Sequence, residues 1–131
     1  MSEQNVQLFQ KAYDAFNRRD VEANLALMDD DVEGVPRVAA IESSYHGHEG
    51  TRRWWKDLLD AFPDMTAEVG EVRELGDVTV GAVHLRGRGA GSDIPSDQRV
   101  WQVCRWRHGK CIWWGIFDAQ DEALKAVGLG E

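Results

Sequence analysis

Apolar residues in the first half of the chain recur at the spacing of a helix. Val6, Phe9, Tyr13 and Phe16 make one stripe, and Leu8, Ala12 and Ala15 a second beside it, which predicts one amphipathic helix over residues 3 to 18. Asn17-Arg18-Arg19 ends it. Asp20 is then placed to accept a backbone N–H at the start of a second helix, whose buried side is Val21, Leu25, Leu27 and Met28. So short a joint makes the two helices antiparallel. Asp29-Asp30-Asp31 closes the pair, and Val32 to Ile41, with β-branched residues interrupted by Gly34 and Pro36, predicts short, irregular strands at a sheet edge. A third helix carries Trp54, Trp55, Leu58, Leu59 and Phe62 on its apolar side until Pro63 stops it.

After Met65 the period becomes two. Ala67, Val69, Glu71 and Arg73 alternate with their neighbours up to a turn at Gly76-Asp77, and Val78 to Arg86 makes a second long strand. Residues 98 to 106 and 110 to 117 supply two more around Arg107-His108-Gly109, and residues 118 to 127 a short terminal helix. The glycine-rich stretch from Gly87 to Asp93 lacks both a following helical pattern and the lysine of a phosphate loop, so it is read as a flexible connection. Helices first and strands second predict an α+β fold, organised as a single domain over residues 1–131.

Charge narrows the partners. With 23 acidic against 15 basic side chains the formal net charge is −8, which disfavours nucleic acid and anionic membrane surfaces. No apolar run approaches the ~20 residues of a membrane span. Met1-Ser2-Glu3-Gln4 opens on polar residues, so a cytoplasmic location is expected. Cys104 and Cys111 are too few for a disulfide framework and lack zinc-ribbon spacing. His46 and His48 flank Gly47 without a third ligand at a recognisable spacing, so neither a metal nor an organic cofactor is expected. Six tryptophans in so short a chain call for a large core, a cavity or a partner surface to cover them.

The last hairpin assigns those indoles to faces. Glycine in the third loop position predicts a three-residue turn, with Arg107 and His108 right-handed, Gly109 left-handed, and Trp106 paired with Lys110. One face then carries Val100, Gln102, Cys104, Trp106, Ile112, Trp114 and Ile116, and the other Trp101, Val103, Arg105, Cys111, Trp113 and Phe117. Both faces are apolar, while the helices suffice to cover one. The second is therefore expected to meet another subunit, as a homodimer through the outer sheet face. The same parity separates the two cysteines and excludes a disulfide between them.

Three helices, a broken strand pair, Tyr45-x-Gly47-x-Glu49-Gly50 opening the third helix and a long-stranded sheet together resemble the nuclear transport factor 2-like, or SnoaL-like, superfamily. The likeness extends from Asn17 and Asp20 through Val100–Phe117 to the tail Glu122–Leu129. It implies a cone-shaped roll of three helices on a strongly curved, mostly antiparallel sheet, with an internal cavity and a short C-terminal helix. Members include ketosteroid isomerases and polyketide cyclases, so the resemblance specifies a cavity better than a reaction. By the same likeness, the isomerase general base matches Gly34, the first oxyanion tyrosine Ala12 and the second donor Gln102, which argues against steroid isomerisation. The aspartate used by the cyclases lies near Asp118.

The resulting expectation is a small hydrophobic molecule held in the cavity, with proton-transfer chemistry of an isomerase, dehydratase or cyclase type. Asp118 or His84 would move the proton, Gln102 and Tyr13 would polarise a carbonyl, and Trp106, Trp114 and Trp55 would wall the substrate. Asp118 has a competing use as the cap of the terminal helix, with Asp121 at the reciprocal position. The competing class is a non-catalytic binder. In a catalytic pocket a titratable group with a perturbed pKa lies near a donor, whereas in a binder the polar groups satisfy one another.

Overall fold

In a computed structural model, which describes residues 3–36, 44–89 and 95–129, the N-terminal stripe is α1, Glu3–Asn17. Phe9, Ala15 and Phe16 are its buried side. Asn17 ends the helix by clamping β3 (Thr66–Leu75), donating Nδ2–H to the Ala67 carbonyl at 2.8 Å and accepting the Ala67 N–H at 2.9 Å. Asp20 caps α2, Val21–Leu25, through the Ala23 N–H at 3.1 Å, as its position in the sequence implied.

The second helix is shorter than expected, because Met28 and the three aspartates belong to β1, Met28–Pro36. Met28, Val32, Gly34 and Pro36 are buried, while Asp30 and Asp31 remain in solvent, so the charge run is an exposed, irregular stretch within a strand rather than a terminator. Nor is β1 an edge strand. It lies between β2, Tyr45–His46, and β6, Lys110–Phe117, in a six-stranded sheet of order β2-β1-β6-β5-β4-β3. The β1–β6 pairing is parallel and every other one antiparallel. Residues 37–43, the rest of the expected edge strands, and most of the glycine-rich stretch lie outside the described residues; Gly87 and Arg88 extend β4, Val78–Arg88.

The third helix, α3, spans Gly47–Ala61 and packs on β1, while α1 packs on β3. Phe9 reaches the sheet at Gly81, where an added Cβ would meet its ring at 2.6 Å. Bulges between Val69 and Val72 and at Ile112 interrupt the ladders and increase local twist, curving the sheet around the helices.

The last hairpin corrects the expected turn. Arg107 at the end of β5, Pro95–Arg107, pairs with Lys110, leaving two loop residues, His108 at φ 55° and Gly109 at φ 77°. Positive φ at both positions is the type I′ geometry, whose twist matches that of the flanking strands. Trp106 therefore faces Cys111, and Ile112 is the extra residue of the bulge before Arg105 meets Trp113 and Cys104 meets Trp114. A shorter turn plus one bulged residue gives the same parity as a three-residue loop. Gln102, Cys104, Trp114 and Ile116 thus share the inner face as predicted, but Cys111 joins them instead of facing outward. The two cysteines lie on one face, contrary to the opposite faces assigned by parity, and both are buried and free.

The outer face is also covered differently. The terminal helix α4, Gln120–Ala126, folds back on it, so that Ala123, Leu124 and Val127 pack with Val78, Val80, Val103, Trp113 and Phe117. Among the described residues the one exposed large hydrophobic side chain is Leu129. The cap of α4 is Ala119, without a side-chain bond, and not Asp118. No helix among the described residues is long and apolar enough to cross a membrane.

Candidate functional site

Between α1, α2, α3 and the inner sheet face lies a cavity of about 60 Å³. Phe9, Tyr13 and Phe16 enter it from successive turns of α1, Trp54 and Trp55 from α3, and Gln102, Cys104, Trp106 and Trp114 from the hairpin. Asn24, Met28 and Thr51 complete the wall with Ala12. The aromatic rings brace one another. Phe16 meets Trp55 edge-on at 5.3 Å, and Trp54 lies 5.7 Å from both Tyr45 and Trp114.

Polar atoms in this apolar setting form a chain. The Tyr13 hydroxyl donates to Gln102 Oε1. The Cys104 thiol stands beside Gln102, Thr79 and Cys111, and Thr79 Oγ1 accepts the Trp106 indole N–H at 2.9 Å. Nearby, Asn24 donates to the Ala12 carbonyl at 3.1 Å and Thr51 to the Gly47 carbonyl at 3.1 Å. Burial pushes the Tyr13 hydroxyl far above the ordinary phenol range, with Cys104 adding to the effect. Burial likewise raises the Cys104 thiol well above its usual value, helped by Cys111. Both groups are protonated and neutral at physiological pH.

Five of the expected site residues come together here: Tyr13, Gln102, Trp106, Trp114 and Trp55. The two proton carriers do not. Asp118 is exposed at the bend after β6. His84 lies on the outer sheet face, paired with Asp97 and flanked by Arg86, whose Nη2 is 3.1 Å from His84 Nδ1. The His84 contact, followed by Arg86 and Arg99, holds Asp97 below the usual carboxylate range. His84, Arg86 and Arg99 border a separate outer groove of about 380 Å³ with Glu68 and Trp101. Among the described residues, no carboxylate or imidazole lines the inner cavity.

The vacancy at Gly34 now has a steric cause. A Cβ there would stand 2.0 Å from Cζ2 of Trp114, so the indole fills the place of any side chain. Phe9 and Phe16 share the Tyr13 stripe and could have been named with it. Trp54 lines the cavity beside Trp55, Cys104 shares the strand face of Gln102 and could have been named with it, and Asn24, Met28 and Thr51 gave no signal as site residues. No cluster of three or more metal-ligating His, Cys, Asp or Glu side chains occurs among the described residues. His48 donates to the Met28 carbonyl at 3.0 Å, and His46 stands 3.9 Å from Asp31.

A curved six-stranded sheet wrapped on helices around a cavity places the protein among nuclear transport factor 2-like folds. The SnoaL-like domain family matches residues 9–114, and the chain belongs to it. A similar solved structure is a nuclear transport factor 2-like protein of unknown function from Burkholderia pseudomallei, with 19% identity, TM-score 0.80, and coverage of 95% of this chain and 98% of that one. An uncharacterised cystatin-fold protein from Novosphingobium aromaticivorans has 21% identity and TM-score 0.74 over 89% and 98% of the two chains. A SnoaL-like polyketide cyclase candidate from Jannaschia sp. CCS1 has 17% identity and TM-score 0.79 over 99% and 95%. At these identities the likeness is one of fold. No curated protein matches the chain.

Proposed function

We propose that the chain is a binding protein that holds a compact, uncharged, largely apolar molecule, or the apolar part of a larger one, in the inner cavity. The observation that carries this reading is the state of the cavity's polar groups. Its two titratable members, Tyr13 and Cys104, are neutral and engaged, and no base lines it among the described residues. Mutual satisfaction is what a binder needs, whereas proton transfer at carbon needs a carboxylate or imidazole poised near the operating pH. The expected catalytic use of Asp118 and His84 draws no support from their positions, while Tyr13 and Gln102 are placed to orient a guest. In its described state the cavity admits only a few non-hydrogen atoms.

Butanone tests the reading. In ordinary water its addition should shift the indole N–H resonance of Trp106, and Gln102→Leu should weaken the titration. In deuterated water the protein should leave the exchange of the ketone's α-protons unaccelerated. Acceleration abolished by Tyr13→Phe would establish proton-transfer chemistry instead, and unmoved indole resonances would remove the binding reading.

We also propose a homodimer through the part of the outer face that α4 leaves open. What supports it is the groove's mixed sign, with Glu68 against Arg86 and Arg99, because in a two-fold contact patches of opposite charge set off from the axis meet each other twice.

A further inference from the structure

Trp55 is a wall with two sides. Only 8% exposed, it lines the inner cavity and also a surface groove of about 290 Å³, together with Arg19, Val21, Arg52, Lys56 and Leu59. Three cations border one groove in a chain of net charge −8, and among the described residues no carboxylate lines it. Arg19 is held there firmly. Its guanidinium donates to the carbonyls of Phe16 at 2.9 Å, Met65 at 2.6 Å and Pro63 at 3.3 Å. These neutral acceptors fix the group without cancelling its charge. Its backbone sits at φ 60°, where glycine is favoured, and the three side-chain bonds hold it there. Arg52 reaches Glu22 at 2.7 Å and Lys56 reaches Asp60 at 2.6 Å, exposed pairs of a kind that contribute little and exchange readily for another anion.

Resting on the binder reading above, we propose that the ligand is an apolar molecule with a single anionic head group, its body passing Trp55 into the cavity and its head held at Arg19, Arg52 and Lys56. A charge cannot enter the cavity, whose described walls offer no cation to meet it, and burying it unpaired is prohibitive. The cavity alone is too small for a ligand of ordinary size, whereas groove and cavity joined by a swing of the Trp55 ring reach the range of small-molecule sites. Phe16, edge-on to Trp55, is the surface that the ring leaves when it moves.

Octanoate and 1-octanol, alike in body and different in head, are the probes, titrated into the full chain by calorimetry. Octanoate should bind about tenfold more tightly than octanol at low salt, with the gap closing as salt is raised. The Arg52→Gln/Lys56→Gln double variant, at exposed positions away from the core, should reduce the preference to the share that Arg19 alone supplies while leaving octanol binding as it was. Trp55→Phe should alter the octanoate association rate in stopped flow. Equal binding of the two probes, or a preference undiminished by the double variant, overturns the proposal. So does failure of both probes while butanone still binds, an outcome that leaves the binder reading intact; failure of butanone as well removes that reading.

Discussion

Tyr13, Gln102 and Cys104 sit in the cavity wall as neutral groups, and that state has a consequence for stability. An unfolded cysteine ionises near pH 8.5. In the fold, burial holds the Cys104 thiol well above that, so between the two values the unfolded state loses a proton that the folded state keeps. Stability from this source is complete below the unfolded value and is lost as pH rises above it, with Tyr13 adding the same trend at higher pH. Urea midpoints should therefore fall steadily above about pH 8.5, and Cys104→Ala should flatten that decline. A decline of unchanged slope in the variant would place its source elsewhere. At this scale the sequence was legible where a periodic stripe carried the residue, as with Tyr13, or where strand parity did, as with Gln102 and Trp114. It was silent on Asn24 and Thr51, which reach the cavity from two different helices and belong to no apolar pattern.

The last hairpin shows why element existence was easier to read than register. His108 adopts a positive φ, at a steric cost that any side chain meets there, because the two-residue turn fits the twist of β5 and β6. A steric penalty of this size yields to a ladder that runs from Arg107 to Trp101. Asn is the residue that type I′ turns favour at this position, so His108→Asn should stabilise the protein by roughly 0.5–1 kcal/mol, seen as a rise of a few degrees in Tm. A lower Tm would mean that the imidazole contributes something the turn geometry does not show. The bulge at Ile112 had no sequence signature, being neither glycine nor asparagine, yet it restored the expected parity and so preserved the inner-face assignment of Trp114 and Ile116. The aspartate run in β1 misled for a related reason: its charges mark solvent, and solvent lies beside a strand as well as beyond a helix end.

Across the whole molecule, the question is what covers a sheet that is apolar on both sides. The inner face has the three helices and the cavity. The outer face was expected to need a partner, but α4 lays Ala123, Leu124 and Val127 over Val78, Val80, Val103 and Phe117, so burial of that apolar surface is achieved within one chain. What remains open is the polar groove around His84, where Glu68, Arg86 and Arg99 line the wall with a half-buried Trp101. The driving force for the proposed dimer is then charge pairing over a modest apolar patch, which differs from burial of an indole surface in how it responds to salt. Sedimentation should show a dimer at low ionic strength that dissociates as salt is added, and Arg99→Glu, by setting like charges across the two-fold, should give a monomer at every salt concentration. An assembly that tightens with salt would point to hydrophobic contact at Leu129 and the adjoining tail, and a wild-type monomer at low salt would show that α4 has removed the need for a partner altogether.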